Sequence, residues 1–240
     1  MRSTEMTEES RVKTYIEGFD EILGGGIPEG SVVLLCGQPG TMKSSVAFSI
    51  LYNNSLHNQA ETVYVSLEQR KNSLIRQMKS MGFDAETQNR IRIMDLSGIR
   101  EELEKAETDE TVISVLREYL QRTLKDSRCS IFVLDSLNVI DISAGHLSRR
   151  SQIFFLFEWL REMNMTSILI SESSPEDIME KGIEEGYLSD GIINLSLSSD
   201  DESAVARSIR CVKMRGTPHD TSFYSLQFRN GRFAVTESMR

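Results

Sequence analysis

Uninterrupted apolar runs recur along this chain: SVVLLC from Ser31, TVYVSL from Thr62, IRIMDL from Ile91, SIFVLD from Ser130 and TSILIS from Thr166. A strand with one face in water alternates apolar and polar residues. A run that is apolar on both faces belongs to a parallel sheet covered on both sides. The cover is supplied by helix-length segments between the runs, at about 43–57, 70–81, 112–125 and 147–164. After Gly186 the rhythm changes. GIINLSLSS, ARSIRCVKMRG, TSFYSLQF and GRFAV follow one another with short turns only, which predicts antiparallel strands at the C-terminal end. The expected fold class is therefore α/β, a mostly parallel central sheet flanked by helices. Residues 1–11 are expected to form a flexible tail and residues 12–240 a single domain, an ordinary size for one core. The glycine-rich YIEGFDEILGGGIPEG is expected to be a loop leading to the first strand.

Between the first strand and the first helix stand Gly37, Gln38, Pro39, Gly40, Thr41, Met42, Lys43 and Ser44, followed by Ser45. Backbone N–H groups at such a strand-to-helix turn point at a common centre, and the helix N-terminus favours negative charge, so the place suits a phosphate. Lys43 would reach the outer phosphates of a nucleoside triphosphate, and the Ser44 hydroxyl would bind Mg²⁺. The strict pattern has glycine immediately before the lysine, where this chain has Met42. Methionine there requires either a loop that closes with negative φ or some backbone strain. Asp135 ends the apolar run from Ile131 and is the expected second Mg²⁺ contact, through water.

Hydrolysis requires a group that orients or deprotonates water, and Glu68, at the end of the run from Val63, is the candidate base. A helix cap or surface carboxylate is the plainer reading of the same residue. Glu172, after ILIS, is a further candidate for sensing the terminal phosphate. Lys213 and Arg215 sit at i and i+2 on a strand and so share a face, a cationic fork that a neighbouring subunit would present to a transferring phosphoryl group.

Composition narrows the classes. The net charge of −9 disfavours a protein that depends on neutralising many backbone phosphates of a nucleic acid. Cys36, Cys129 and Cys211 lie inside apolar runs without metal-ligand spacing and read as buried, reduced thiols, in keeping with the cytoplasm. No run approaches the length of a membrane span, and the N-terminus lacks an apolar signal core. His57 and His146 read as surface residues. Phe154, Phe155, Phe157, Trp159 and Leu160 give a helix apolar nearly all round, expected to pack in the core or against another subunit.

The segments TYIEGFDEILGGGIPEGSVVLLCGQPGTMKSS, VYVSLE, IFVLDSL, ILISE, GYLSDGIINL and VKMRGTPHD together resemble the KaiC family of RecA-type phosphate-loop ATPases, in its single-domain form. The resemblance implies a RecA-like core assembled as a ring, commonly a hexamer, with ATP and Mg²⁺ at each subunit boundary. It places Glu68 on the family's catalytic glutamate. It places Lys213, Met214, Arg215, Thr217 and His219 on the segment that grips nucleotide bound by the adjacent subunit. Two departures are Met42 in the loop and Gln69 where a second glutamate is common, and slow hydrolysis is the expectation. The leading reading is an ATPase ring that regulates a protein partner. An ATP-binding switch with negligible turnover stays open. So does a single-strand DNA-dependent relative, for which the loop Ser143 to Arg150 supplies the only basic candidate.

Overall fold

In a computed structural model, which describes residues 10–95, 112–123, 129–139, 149–173, 184–201 and 204–237, the strand Val32–Cys36 lies in the middle of a nine-stranded sheet. In chain order the strands are β1 (Arg11–Val12), β2 (Ile27–Pro28), β3 (Val32–Cys36), β4 (Glu61–Ser66), β5 (Ile91–Asp95) and β6 (Cys129–Asp135). They continue as β7 (Thr166–Ser171), β8 (Gly191–Asp201), β9 (Ala204–Met214), β10 (Tyr224–Arg229) and β11 (Arg232–Glu237). The helices are α1 (Phe19–Ile22), α2 (Lys43–Asn58), α3 (Lys71–Ser80), α4 (Val112–Thr123), α5 (Arg149–Glu162) and α6 (Glu184–Leu188). Strand order is β11-β10-β9-β8-β3-β7-β6-β4-β5, parallel from β8 to β5 and antiparallel from β8 to β11. The change of rhythm after Gly186 thus marks the change of sheet type.

The runs of β3, β4, β6 and β7 are buried on both faces because successive side chains of one strand serve two different cores, while β5, at the sheet edge, is only partly buried. Val33 and Leu35 of β3, Tyr64 of β4 and Val133 of β6 face the side covered by α2 and α3. Val32, Leu34 and Cys36, Val63 and Val65, and Phe132 and Leu134 face the side covered by α4 and α5. Each such side chain contributes about 1.5–3 kcal/mol relative to exposure. That gain holds the sheet rigid beneath the loops at its edge.

Two features depart from the sequence expectations. The glycine-rich lead-in is partly structured: α1 forms within it, and β1 pairs with β2. Arg11, placed in the flexible tail from the sequence, is tied down, donating to the carbonyls of Leu23 and Gly26 and to Thr217 Oγ1 at 2.9 Å. A long arginine anchored on three acceptors outweighs the polar character of its neighbourhood. No helix among the described residues is long and apolar enough to cross a membrane.

Candidate functional site

The turn from β3 into α2 is built around close approaches of backbone. Gly37 has φ 151°, and a Cβ there would lie 2.1 Å from the carbonyl oxygen of Leu195 on β8, so only glycine fits. Gly40 also lies in the left-handed region, at φ 87°. Met42 has φ 72° and ψ 26°, so the chain keeps the backbone shape that glycine would take and methionine carries the strain, on the order of 1–2 kcal/mol. Its partly buried side chain packs against the core beneath α2. Thr41 is fully buried and its hydroxyl donates to the Gln38 carbonyl at 2.8 Å, closing the loop internally.

Lys43 is the first residue of α2, and its Nζ donates to the Gln38 carbonyl at 3.1 Å, poised over the loop. Burial pulls its ammonium below the usual lysine range, opposed by the nearby carboxylates of Glu172, Asp135 and Glu68. Those three acids mark the other wall of one cleft of about 440 Å³, lined by Pro39, Gly40, Met42, Lys43, Ser44, Ser45, Glu68, Asp135 and Glu172 among others. The sheet explains the convergence. Parallel strands end on one side, so the segments after β3, β4, β6 and β7 meet at the same edge. Glu68 does not come from the strand next to the loop, because β7 and β6 intervene between β3 and β4.

Asp135 is 7 % exposed, and burial raises its carboxyl above the ordinary range. Hydrogen bonds from Tyr64 and Ser44 work against that rise. Glu68 is exposed to the cleft, and one of its carboxylate oxygens accepts a hydrogen bond from the Ser136 hydroxyl. The Gln69 amide donates to Ser73 Oγ at 2.9 Å and to Oε1 of Gln77, a residue of the cleft lining, at 3.1 Å along α3.

The C-terminal segment sits elsewhere. Lys213 pairs with Ile192, which pairs in turn with Leu34, level with the middle of β3, and Arg215 lies beyond it, its amide donating to the carbonyl of Asp190 beside Val32 at the start of that strand. Its Nζ donates to the carbonyls of Gly186 at 3.0 Å and Ser189 at 2.7 Å. Arg215, one residue past β9, donates to Asp190 Oδ1 at 3.1 Å and to the Tyr187 carbonyl at 2.8 Å. Arg161 adds contacts to Leu188 and Asp190. Three cations thus gather on one carboxylate and the carbonyl end of α6, where positive charge is favoured. Burial, followed by Arg215, pulls the Lys213 ammonium downward. Met214 and Thr217 are buried within the chain, and His219 Nδ1 lies 2.8 Å from the Thr217 carbonyl.

Arg207 was not singled out in the sequence. It lies on β9 opposite Leu197, donates to the Gly40 carbonyl at 3.2 Å and lines the cleft. Only the hairpin register, which carries β9 past the end of β3, brings it there. Of the remaining candidates, His57 is exposed and stacks on Tyr15 at 5.2 Å, and Phe157, Trp159 and Leu160 are buried while Phe154 and Phe155 are exposed. Cys36 and Cys211 are buried thiols outside any disulfide among the described residues. His146, the acidic stretch 101–110, residues 143–148 and the side chains of Arg149 and Arg150 lie outside the described residues.

A family model described as "ATPase: KaiC" matches residues 12–239. The chain belongs to the KaiC ATPase family. Among its KaiC-like relatives, a UPF0273 protein of Aeropyrum pernix is 35% identical over 217 residues, covering 87% of this chain and 86% of that one. A UPF0273 protein of Thermotoga maritima is 35% identical over 222 residues, with 87% and 88% covered. The circadian clock protein KaiC2 of a Synechocystis species is 28% identical over 226 residues, which span 92% of this chain and 39% of that one. The crystal structure of a KaiC-like protein from Pyrococcus horikoshii superposes with a TM-score of 0.78 at 30% identity, covering 95% and 99% of the two chains. Membership makes this an ATP-binding protein of the phosphate-loop type with the RecA-type α/β fold.

Proposed function

We propose that this KaiC-family chain hydrolyses ATP slowly, with Mg²⁺, at the boundaries between subunits of a ring. The observation that carries the reading is the single cleft in which Lys43, Ser44, Asp135 and Glu68 converge. Backbone amides from Gly37 to Ser44 would hold the phosphates, with Lys43 on their outer oxygens. The donors present fit a hard divalent cation, since the Ser44 hydroxyl and the Asp135 carboxylate hydrogen-bond to one another at the mouth of the loop. Mg²⁺ held there would neutralise charge on the phosphate oxygens. Glu68, steadied by Ser136, would take the proton from an attacking water.

Ring formation is supported by the position of the cationic fork. Lys213 and Arg215 reach away from their own phosphate loop, and their cluster with Arg161 carries one more positive charge than Asp190 and Glu158 supply among the described residues. An anion from a neighbouring molecule would balance it, with His219 at the rim. The exposed Tyr187, whose carbonyl holds Arg215, offers an apolar contact beside that anion site. A ring commonly built from six copies fits this arrangement, and the acidic net charge favours a protein partner over nucleic acid as the target of its nucleotide state. The expected setting is the cytoplasm.

Phosphate release by the parent protein and by Glu68→Gln tests the enzyme. Turnover should fall about 10²–10⁴-fold with ATP binding retained. Equal, background release from both proteins would instead leave an ATP-binding switch, the reading favoured by the glycine-to-methionine departure at Met42. Light scattering tests the ring: a species several times the monomer mass in Mg·ATP supports it, and a monomer at high concentration with nucleotide refutes it.

A further inference from the structure

The largest of the fully buried side chains is that of Tyr64, in the middle of β4, which stands behind the cleft wall at Asp135. Its phenol donates to Asp135 Oδ2 at 2.6 Å, a short hydrogen bond of the kind formed with a charged acceptor. The ring is clamped from the other side by Phe48 of α2, at 5.4 Å between centroids. Tyr64 therefore connects the helix that begins with Lys43 and Ser44 to the carboxylate that ends β6.

We propose that Tyr64 is a positioning residue for the divalent cation of the ATP site: its hydroxyl fixes Asp135 through Oδ2 and so holds the carboxylate beside Ser44 at the cleft. This inference rests on the Mg·ATP reading above. The chemistry is that of an outer partner to a metal-binding carboxylate. An Asp side chain rotates about two bonds, and only one orientation presents an oxygen to a cation or its waters. A hydrogen bond from behind removes the other orientations before the ion arrives, so the ordering cost is met within the fold. Such outer partners commonly change metal affinity by about 10–100-fold when removed. Tyr64 is suited to this duty because its neighbours are the sheet and α2, which hold the ring still.

Tyr64→Phe removes one oxygen and keeps the ring, so the packing on Phe48 survives. ATP affinity is measured by calorimetry across a Mg²⁺ titration and separately in EDTA. The expected result is a rise of about tenfold in the Mg²⁺ concentration at half effect. ATP affinity in EDTA should change less than about twofold, since the phosphate loop itself is untouched. Phe48→Leu serves as the packing control, expected to lower the unfolding temperature and leave the Mg²⁺ midpoint in place. The proposal is overturned if the midpoint of Tyr64→Phe equals that of the parent, if affinity in EDTA falls as far as affinity in Mg²⁺, or if Phe48→Leu moves the midpoint equally. A parent protein whose ATP affinity ignores Mg²⁺ would overturn the Mg·ATP reading first and this inference with it.

Discussion

Arg215 and Lys43 lie beyond opposite ends of β3. Lys43 follows that strand across the loop, whereas the Arg215 amide donates to the carbonyl of Asp190, whose own amide donates to the carbonyl of Val32 at the strand's beginning. Arg215 is therefore expected to serve a nucleotide held by another copy. Mixed assemblies check the consequence. Lys43→Ala and Arg215→Ala proteins should each lose phosphate release by about 10³-fold, the scale of an arginine finger. Mixed together, they should regain part of it, because some boundaries then unite an intact loop with an intact Arg215. No recovery on mixing would place both groups in the same chain's site, against the register.

Met42 offers a test of backbone strain separate from side-chain packing. Gly and Ala both remove the methionine side chain, but only Gly relaxes at φ 72°. Met42→Gly should be more stable than Met42→Ala by about 1 kcal/mol, the reverse of their order inside a helix. Urea unfolding of the nucleotide-free proteins measures the difference. The parent should fall near Met42→Gly, its packing against the core offsetting its strain.

Arg207 gains a role from its contact with the loop. Arg207→Ala should weaken ATP binding about five- to tenfold, equivalent to about 1–1.4 kcal/mol and reduced from a buried charged hydrogen bond by the exposure of the side chain. Calorimetry against Arg207→Lys separates charge from shape. Lysine keeps the charge but not the fixed fork of donors, so partial rescue is the expected result.

Cys211 controls the alkaline limb of stability. Burial pushes its thiol from 9.0 up to about 12. The unfolded thiol loses its proton near the lower value and the folded one only near the upper, so the native chain holds more protons between them. Stability must then fall as pH rises through that window, and Tyr64, raised by burial above 10.0, adds to the loss. Cys211→Ala should lower stability at neutral pH through lost packing. It should also flatten the decline between about pH 8.5 and 10.5 in denaturant titrations.

How far the sequence carried depends on whether a property is local. The apolar runs predicted β3, β4, β6 and β7 because burial on both faces leaves its mark residue by residue, and β5, the partly buried edge strand, showed the weaker IRIMD. The phosphate loop was legible because its glycines answer to backbone geometry at adjacent positions. What escaped depends on partners distant in the chain. Tyr64 lies inside a run of apolar residues, and its hydroxyl acquires meaning only when β6 lies alongside β4 to supply Asp135. Ser136 reads as any residue after a strand until Glu68 accepts from it. The segment around Lys213 showed its charges but not its burial. Met214 joins the core of Ile209 and Cys211 because a bulge in β9 opposite Ile192 and Ile193 shifts the alternation by one residue, and Thr217 is buried where Arg11 reaches it from the other end of the chain.

Strand β9 has one further consequence. Arg207 near its beginning holds the Gly40 carbonyl, and Lys213 near its end holds the carbonyls at the close of α6, a separation of about 20 Å along an extended backbone. Paired with β8 on both sides of the bulge opposite Ile192 and Ile193, the strand sets the spacing of these two cations, so the distance from the loop to the fork is written into the length of one hairpin arm.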